Sequence, residues 1–310
     1  MDSVRRTRSA LLALPRIMPP AASLADVVEA FLDWELHDEA SASSVTVRTL
    51  PCSAPQLCVH YRSAAWKSER AGTGFFRHIA LGIQTETASI RTPSGPLGVL
   101  VTRLKPEAAA RLIGVPLNEL TDSSVGMREL FGAGPVSVLE EQLAEARTSL
   151  ERITRVEAFL ETRLLENDLS PAMHRAVQML RNDPALSGQH LAEHLDMSER
   201  HLTRCFSGLF GTSPKQFARV ARISKMVRAR WNGNSWADIA HTLGFFDQSH
   251  MINDFKSMIG VTPTQFFAAA SERNCALNTL LGRSAFSNFV VSCDFNILGS
   301  QPYPLVPRYL

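Results

Sequence analysis

Three groups of residues have types and spacings suited to chemistry. His190-Leu-Ala-Glu-His194 fits the H-x-x-E-H pattern, in which two histidines one helical turn apart bind zinc beside a glutamate base. Leu191 and Leu195 mark the buried side of that helix, so both histidines fall on its solvated face and no third ligand is evident. Cys58, His60 and His78 are a second group, a candidate lining for a metal-dependent enzyme site in the N-terminal part. The third is a pair of polar clusters: Glu199, Arg200, Thr203 and Arg204, then Gln248, Ser249, His250 and Asn253. Guanidinium, amide and hydroxyl groups of this kind hydrogen-bond to base edges. His201 and His250 lack the nucleophile and carboxylate that would make them catalytic. The expectation is a binding protein, with no catalytic residue, no metal and no cofactor.

The two polar clusters sit in a repeat. Ser187, Leu191, Ala192 and Leu195 recur 48 residues later as Ser235, Ile239, Ala240 and Leu243. Ser198, Leu202, Phe206, Gly211, Ser213, Pro214, Gln216 and Phe217 recur 49 residues later as Asp247, Met251, Phe255, Gly260, Thr262, Pro263, Gln265 and Phe266. One unit therefore occurs twice, with one extra residue in the second copy's turn. In each, a capping serine opens a short helix that buries positions i, i+1 and i+4; Ser235 and Asp238 have capping-box spacing. A tight turn, Asp196-Met197 or Gly244-Phe245-Phe246, leads to a second helix capped by Ser198 or Asp247 and stopped by Gly211 or Gly260. The regular phenylalanines Phe206, Phe217, Phe255 and Phe266 are core. Two short helices on a short turn are a helix-turn-helix, and the polar clusters occupy the start of each second helix, the part that enters a major groove.

Between the copies, Pro214 to Arg230 carries Arg219, Arg222, Lys225, Arg228 and Arg230 and no acidic residue. Seventeen helical residues span roughly 25 Å, a strut able to hold two reading helices near the ~34 Å between successive major grooves. Ser198, Arg219, Arg222, Lys225 and Arg228 are the expected phosphate contacts; Arg200, Thr203, Arg204, Gln248, Ser249, His250 and Asn253 are the expected base contacts. Charge is distributed accordingly. Residues 171–270 hold 11 Lys and Arg against 7 Asp and Glu, a balance of +4, while the rest hold 21 against 23, a balance of −2.

Residues 174–270 resemble the DNA-binding domain of AraC/XylS-type bacterial transcription regulators, and Gly244-Phe-Phe-Asp-Gln-Ser-His-Met-Ile-Asn-Asp-Phe-Lys-Ser-Met-Ile-Gly-Val-Thr-Pro263 follows that family's C-terminal signature. The resemblance implies a regulator that binds double-stranded DNA and works with RNA polymerase, usually beside a variable N-terminal domain that binds a small-molecule effector or forms a homodimer. Its base-contacting positions fall on the seven residues just named. Asn253 stands where a basic residue is common and Asp254 follows, so the second unit binds DNA weakly or serves RNA polymerase instead. An adaptor that uses the two units to hold protein partners is the rival reading.

The rest of the chain sets the frame. The fold class expected is α+β: a small N-terminal β-sheet or cupin-like domain with helices, then an all-α domain of two helix-turn-helix units joined by a long helix. Residues 1–44 form a poorly defined segment with a short amphipathic helix from Leu24 to Leu36. Residues 45–135 form a sensor-like β domain, with strands at Val45–Leu50, Leu57–Tyr61, Phe75–Leu81 and Leu97–Leu104, then a helix opened by Pro106 and closed by Gly114. An effector pocket there is implied by family analogy alone. From 136 to 166, Leu139, Leu143, Ala146, Leu150, Ile153, Val156, Leu160 and Leu164 form a helical stripe, either a dimerisation seam or a face buried in its own domain. Residues 166–171 read as a linker, and no structure is assigned to the tail, 271–310. The five scattered cysteines make neither a disulfide framework nor a zinc knuckle, and no segment is apolar for long enough to cross a membrane. The first twenty residues do not make a convincing signal peptide, so the cytoplasm is the expected compartment.

Overall fold

A computed structural model describes residues 14–36, 46–62, 67–68, 78–91, 96–165, 170–272, 281, 283–284 and 289–292. The N-terminal strands are β1 (Arg16–Met18), β2 (Val28–Leu36), β3 (Thr46–Thr49), β4 (Gln56–His60), β5 (Lys67–Ser68), β6 (His78–Leu81), β7 (Ala88–Arg91) and β8 (Leu97–Leu104). Helix α1 (Pro106–Ile113) follows, then β9 (Ser124–Gly126), α2 (Met127–Phe131), α3 (Ala133–Glu145) and α4 (Ser149–Glu161). The C-terminal helices are α5 (Pro171–Asn182), α6 (Gly188–His194), α7 (Glu199–Phe210), α8 (Pro214–Trp231), α9 (Trp236–Thr242), α10 (Gln248–Ile259) and α11 (Pro263–Glu272), and β10 (Phe289–Ser292) comes last. This is the α+β architecture expected, an antiparallel sheet domain followed by a helical double helix-turn-helix.

One antiparallel sheet has the order β1-β2-β8-β4-β6-β9, and a smaller one runs β10-β3-β7-β5. The first packs one face on helices. On β2, Phe31 joins the large core shared with α1, α3 and α4, whereas Ala30, Leu32 and Trp34 join a separate cluster behind the sheet. The helix expected from Leu24 to Leu36 is thus corrected to the end of a 3-10 turn, Ala22–Leu24, followed by strand β2. A strand buried on both faces loses the apolar–polar alternation that would reveal it, and its apolar residues then mimic helical spacing.

The apolar stripe also differs from expectation. It is two helices, α3 and α4, broken at Ala146 and restarted by Thr148, whose hydroxyl accepts from the Glu151 N–H. Leu139, Leu143, Ile153, Val156 and Leu160 are all buried in the protein's own core. Arg152, 2% exposed, lies on the sheet-facing side of α4. Its Nε donates to Asp33 Oδ2 at 2.9 Å, Nη2 to Glu35 Oε2 at 2.6 Å and Nη1 to the Ala146 carbonyl at 3.0 Å. The Tyr61 hydroxyl donates to the other Asp33 oxygen at 2.7 Å. A buried cation so fully paired makes α3–α4 part of the N-terminal domain, and the buried stripe residues face that domain's own core, whereas Leu150 of the same stripe is exposed. Part of the C-terminal tail also has a place: β10 pairs antiparallel with β3, Phe289 opposite Thr49 and Ser292 opposite Thr46. Leu281 also packs in the cluster behind the sheet, and Arg283 Nε donates to the Trp231 carbonyl at 2.8 Å. Apart from these, Ser284 and the α11 residues 271–272, the rest of the tail lies outside the described residues, as do 166–169 of the expected linker.

Candidate nucleic-acid interface

The two copies are built alike, down to their caps. Ser187 accepts from the His190 N–H at 3.1 Å, Ser198 from His201 at 3.2 Å, Ser235 from Asp238 at 3.1 Å and Asp247 from His250 at 2.6 Å. Each side-chain oxygen satisfies one orphan donor of its helix and sets where the helix begins. The turns match as well. Asp196 and Gly244, 48 apart, both have left-handed backbone, φ 52° and 67°. Gly211 and Gly260 end α7 and α10 with φ 64° and 86°.

Helix α8 supplies a wall to both units. Phe217 and Ala218 lie in the first core with Leu202, Phe206 and Phe210. Ile223, Met226, Val227 and Trp231 lie in the second with Met251, Phe255, Ile259 and Phe266. With the apolar sides so used, the opposite sides of α7 and α10 face solvent. Arg200, Thr203 and Arg204 are exposed on α7, and Gln248, Ser249, His250 and Asn253 are exposed on α10. The α7 residues Glu199, Arg200, Thr203, Arg204 and Ser207 line a shallow open concavity. Arg204 donates to His201 Nδ1 at 2.9 Å, which steadies the guanidinium across the helix face. Down α10, exposed Lys256 continues the line of Ser249 and Asn253, and Lys215 is exposed at the start of α8. Neither lysine was singled out from the sequence, though the i, i+4, i+7 spacing of Ser249, Asn253 and Lys256 marks one helix face.

The strut cations take a different place from the one expected. Arg219 Nε donates to Asp254 Oδ1 at 2.6 Å, and its Nη2 donates to the Ser257 hydroxyl. Asp254 is thereby turned inward, away from the exposed face that carries Asn253. Arg222 donates to the Pro184 carbonyl at 2.7 Å and lies 4.9 Å from the centre of the Phe245 ring. Lys225 Nζ reaches the Asn182 carbonyl at 2.5 Å. Arg228 is half-buried near Glu29, Arg103 and Arg181. Burial pushes the pKa values of Arg222, Lys225 and Arg228 down from their ordinary values. Arg222 and Lys225 thus hold the α5–α6 connection, and Arg228 packs beside the N-terminal domain's Glu29 and Arg103, rather than projecting freely. Ser198 is the cap of α7: its oxygen accepts from the His201 N–H, which leaves the hydroxyl proton to donate elsewhere.

The first unit is joined to the N-terminal domain directly. Thr121, just past the 3-10 turn Leu117–Glu119, donates to the Phe210 carbonyl at 2.7 Å. Arg181 on α5 spans Glu29 Oε2 at 2.9 Å and Glu107 Oε1 at 3.2 Å, and Arg103 Nε reaches the same Glu29 oxygen at 3.2 Å. Burial raises the Glu29 carboxyl pKa, but Arg103, Arg181 and Arg228 outweigh it and hold it below the ordinary value. The second unit is joined at Leu50, which lies in its core, and at Arg48, which donates to the Ile259 carbonyl at 2.6 Å.

The other candidate chemistry does not assemble. Cys58 and His60 share one face of β4, whereas His78 lies opposite Val59 and faces the helices, where its Nε2 is 2.9 Å from Glu140 Oε2. Successive residues of a strand alternate faces, so the sheet separates His78 from the other two. His190 and His194 are exposed on α6, and the His194 ring turns back to the His190 carbonyl at 2.7 Å. Among the described residues no three His, Cys, Asp or Glu side chains are grouped to hold a metal ion, and no helix is long and apolar enough to cross a membrane.

The helix-turn-helix domain family model matches residues 191–269, most of the first unit and all of the second. The C-terminal domain belongs to the AraC-type helix-turn-helix family. This is a family of DNA-binding transcription regulators, and the match extends from within the first helix of the first unit into α11. Ahead of the AraC-type domain, residues 16–126 match a domain of unknown function (DUF6597), which includes β1 and β2. No curated protein matches the chain in sequence. Among solved structures, the chain resembles an apo ToxT variant from Vibrio cholerae strain SCE256, with 14% identity over 81% of this chain and 98% of that one, at a TM-score of 0.46. It also resembles ToxT of the same strain with an unsaturated fatty acid bound, at 14% identity over 76% and 94% of the two chains and a TM-score of 0.43. The C-terminal domain of AraT, a response regulator from Geobacillus stearothermophilus, is 26% identical over 32% of this chain and 86% of that one, at a TM-score of 0.31.

Proposed function

We propose that the protein is a sequence-specific regulator of transcription that reads two adjacent major-groove segments with its duplicated helices. Arg200, Thr203 and Arg204 on α7 and Gln248, Ser249 and Asn253 on α10 take the base edges, with His250 at the start of α10. One observation carries the reading: two helices with the same caps and the same buried faces both leave their polar N-terminal sides in solvent. An adaptor would not need two such faces composed of base-matching groups. Phosphate contacts belong to exposed Lys215 and Lys256 and to the backbone N–H groups at the starts of α7 and α10. The cations of α8 serve instead to brace the two units and to join them to the N-terminal domain.

The N-terminal domain reaches both units, through Thr121 and Glu29 to the first half and through Arg48 and Leu50 to the second. A small-molecule effector bound there would shift those contacts and so the position of the reading helices. The consequence for transcription then passes through RNA polymerase.

The test is selection of duplexes from a random pool by the full-length chain, followed by Arg204→Ala. Specific affinity should fall by about 1–3 kcal/mol with relaxed preference at one or two base pairs, while affinity for random duplex changes little. Equal loss on both would reassign Arg204 to the phosphates, and absence of any selected sequence would end the base-reading proposal.

A further inference from the structure

The two units differ in length by one residue, and that residue is an exposed aromatic. In the first turn the Met197 N–H donates to the Ala192 carbonyl at 3.0 Å; in the second, the Phe245 N–H donates to Ala240 at 2.9 Å. These anchors are 48 apart, but the caps that follow, Ser198 and Asp247, are 49 apart. The insertion is Phe246. Phe245 fills the anchor's place, buried in the second core, with its ring edge-on to His250 at 5.4 Å. Phe246 is 92% exposed, the most exposed large apolar residue described.

A hydrophobic residue just before a helix cap ordinarily packs on the fourth residue of the helix. Here that fourth residue is Met251, fully buried, and the Phe246 ring lies in water instead. The Phe246 N–H points to His250 Nδ1 at 3.4 Å, which ties the backbone of the inserted residue to the first turn of α10. His250 is therefore a positioning residue for the turn, with the Phe246 ring left projecting. Its exposed neighbour Asp247 turns one carboxylate oxygen to the His250 N–H at 2.6 Å as the cap of α10, and the exposed residues that follow on the helix face, Gln248, Ser249 and Asn253, are uncharged.

We propose that Phe246 is a specificity-determining residue that contacts the thymine 5-methyl group in the major groove, and that the two half-sites differ in composition. This rests on α10 being a groove-reading helix. Amide side chains match the paired donor and acceptor of adenine, and an aromatic ring matches the thymine methyl, so the half-site under α10 is rich in A·T pairs. Arg200 and Arg204 match the two acceptors of guanine, so the half-site under α7 contains G·C pairs. Phe246 stands immediately before the cap, next to the N-terminal residues that touch base edges in a helix-turn-helix.

The experiment begins with duplexes selected from a random pool by the full-length chain. Gln248→Ala identifies the half-site under α10 by the positions at which preference relaxes. Each thymine there is then replaced by deoxyuridine, which removes only the methyl group, and affinities are measured for the parent and for Phe246→Ala. The parent should lose about fourfold at one or two thymines, the factor one buried methyl group is worth. Phe246→Ala, whose melting temperature should match the parent's, should bind the thymine and deoxyuridine duplexes equally. Indifference of the parent to the methyl groups, retention of the methyl preference in Phe246→Ala, or a G·C-rich half-site under α10 would each overturn the proposal. A selected sequence with no thymine effect removes Phe246 alone, whereas failure to select any sequence removes the base-reading function beneath it.

Discussion

Replacing Gly211 with alanine tests whether α7 is held against the N-terminal domain. Gly211 ends α7 with φ 64°, a conformation that costs an L-residue about 1–2 kcal/mol. Part of this, about 0.4–1 kcal/mol, is returned by the stiffer unfolded chain. The added Cβ would also lie 2.8 Å from Asn118 Cα and 2.8 Å from Thr121 Cβ, closer than real Cβ atoms come to their neighbours, and it would meet the Thr121 hydroxyl. That hydroxyl holds the Phe210 carbonyl, and Asn118 is backbone, so neither can yield cheaply. Overpacking of this kind costs about 1–3 kcal/mol, and a weakened hydrogen bond adds about 1 kcal/mol. Gly211→Ala should therefore destabilise by about 2–5 kcal/mol. Gly233 is the control: its φ is 94°, yet nothing lies within 4 Å of its Cβ position, so Gly233→Ala should cost only about 1 kcal/mol. Urea titration of the full-length chain, followed by tryptophan fluorescence, measures both. Equal losses at the two positions would show that α7 is not seated against residues 117–121, and the proposed coupling of sensor to reader would lose its nearest contact.

Arg222→Gln and Arg228→Gln should lower stability, the first by about 1–3 kcal/mol for the lost charged hydrogen bond to Pro184, and leave the salt dependence of DNA affinity unchanged. A fall in the salt slope of about 1 per residue would return these cations to the phosphates. Among Cys52, Cys58 and Cys205, only half-buried Cys205 should react with iodoacetamide at pH 8, as read by peptide mass mapping. Burial pushes the Cys58 thiol up to about 12, so its modification in the folded protein would contradict the packing behind the sheet. The Glu29 carboxyl is held below its ordinary value, so its contribution is complete above the usual carboxylate range and is lost as pH falls through the lowered value. Urea midpoints should hold at pH 5 and decline below about 4, with a smaller acid-dependent decline in Glu29→Gln. An identical decline in that variant would remove Glu29 as the acid-sensitive group of the seam.

The two helix-turn-helix units were legible because their determinants are local. Capping oxygens at Ser187, Ser198, Ser235 and Asp247, apolar residues at helical spacing and glycines at helix ends act over three or four residues, and a second copy of the pattern distinguishes it from chance. The exposed polar faces follow from the buried ones on a cylinder of fixed pitch, which is why Arg200, Thr203, Arg204, Gln248, Ser249, His250 and Asn253 were recognisable and lie in solvent. Strands β3, β4, β6 and β8 were legible from their β-branched runs.

Two other features needed the tertiary structure, since each depends on atoms distant in the chain. A run of cations without acids looks solvated in sequence, but the acceptors of Arg222 and Lys225 are backbone carbonyls at Pro184 and Asn182, which any residue could supply. Likewise β2 became a strand rather than a helix because burial on both faces erased its alternation. Its Glu29 and Asp33 then found Arg181 and Arg152 more than a hundred residues away. Local spacing determined that the chain makes two helix-turn-helix units; long-range packing alone decided which charges brace those units and which stay in solvent.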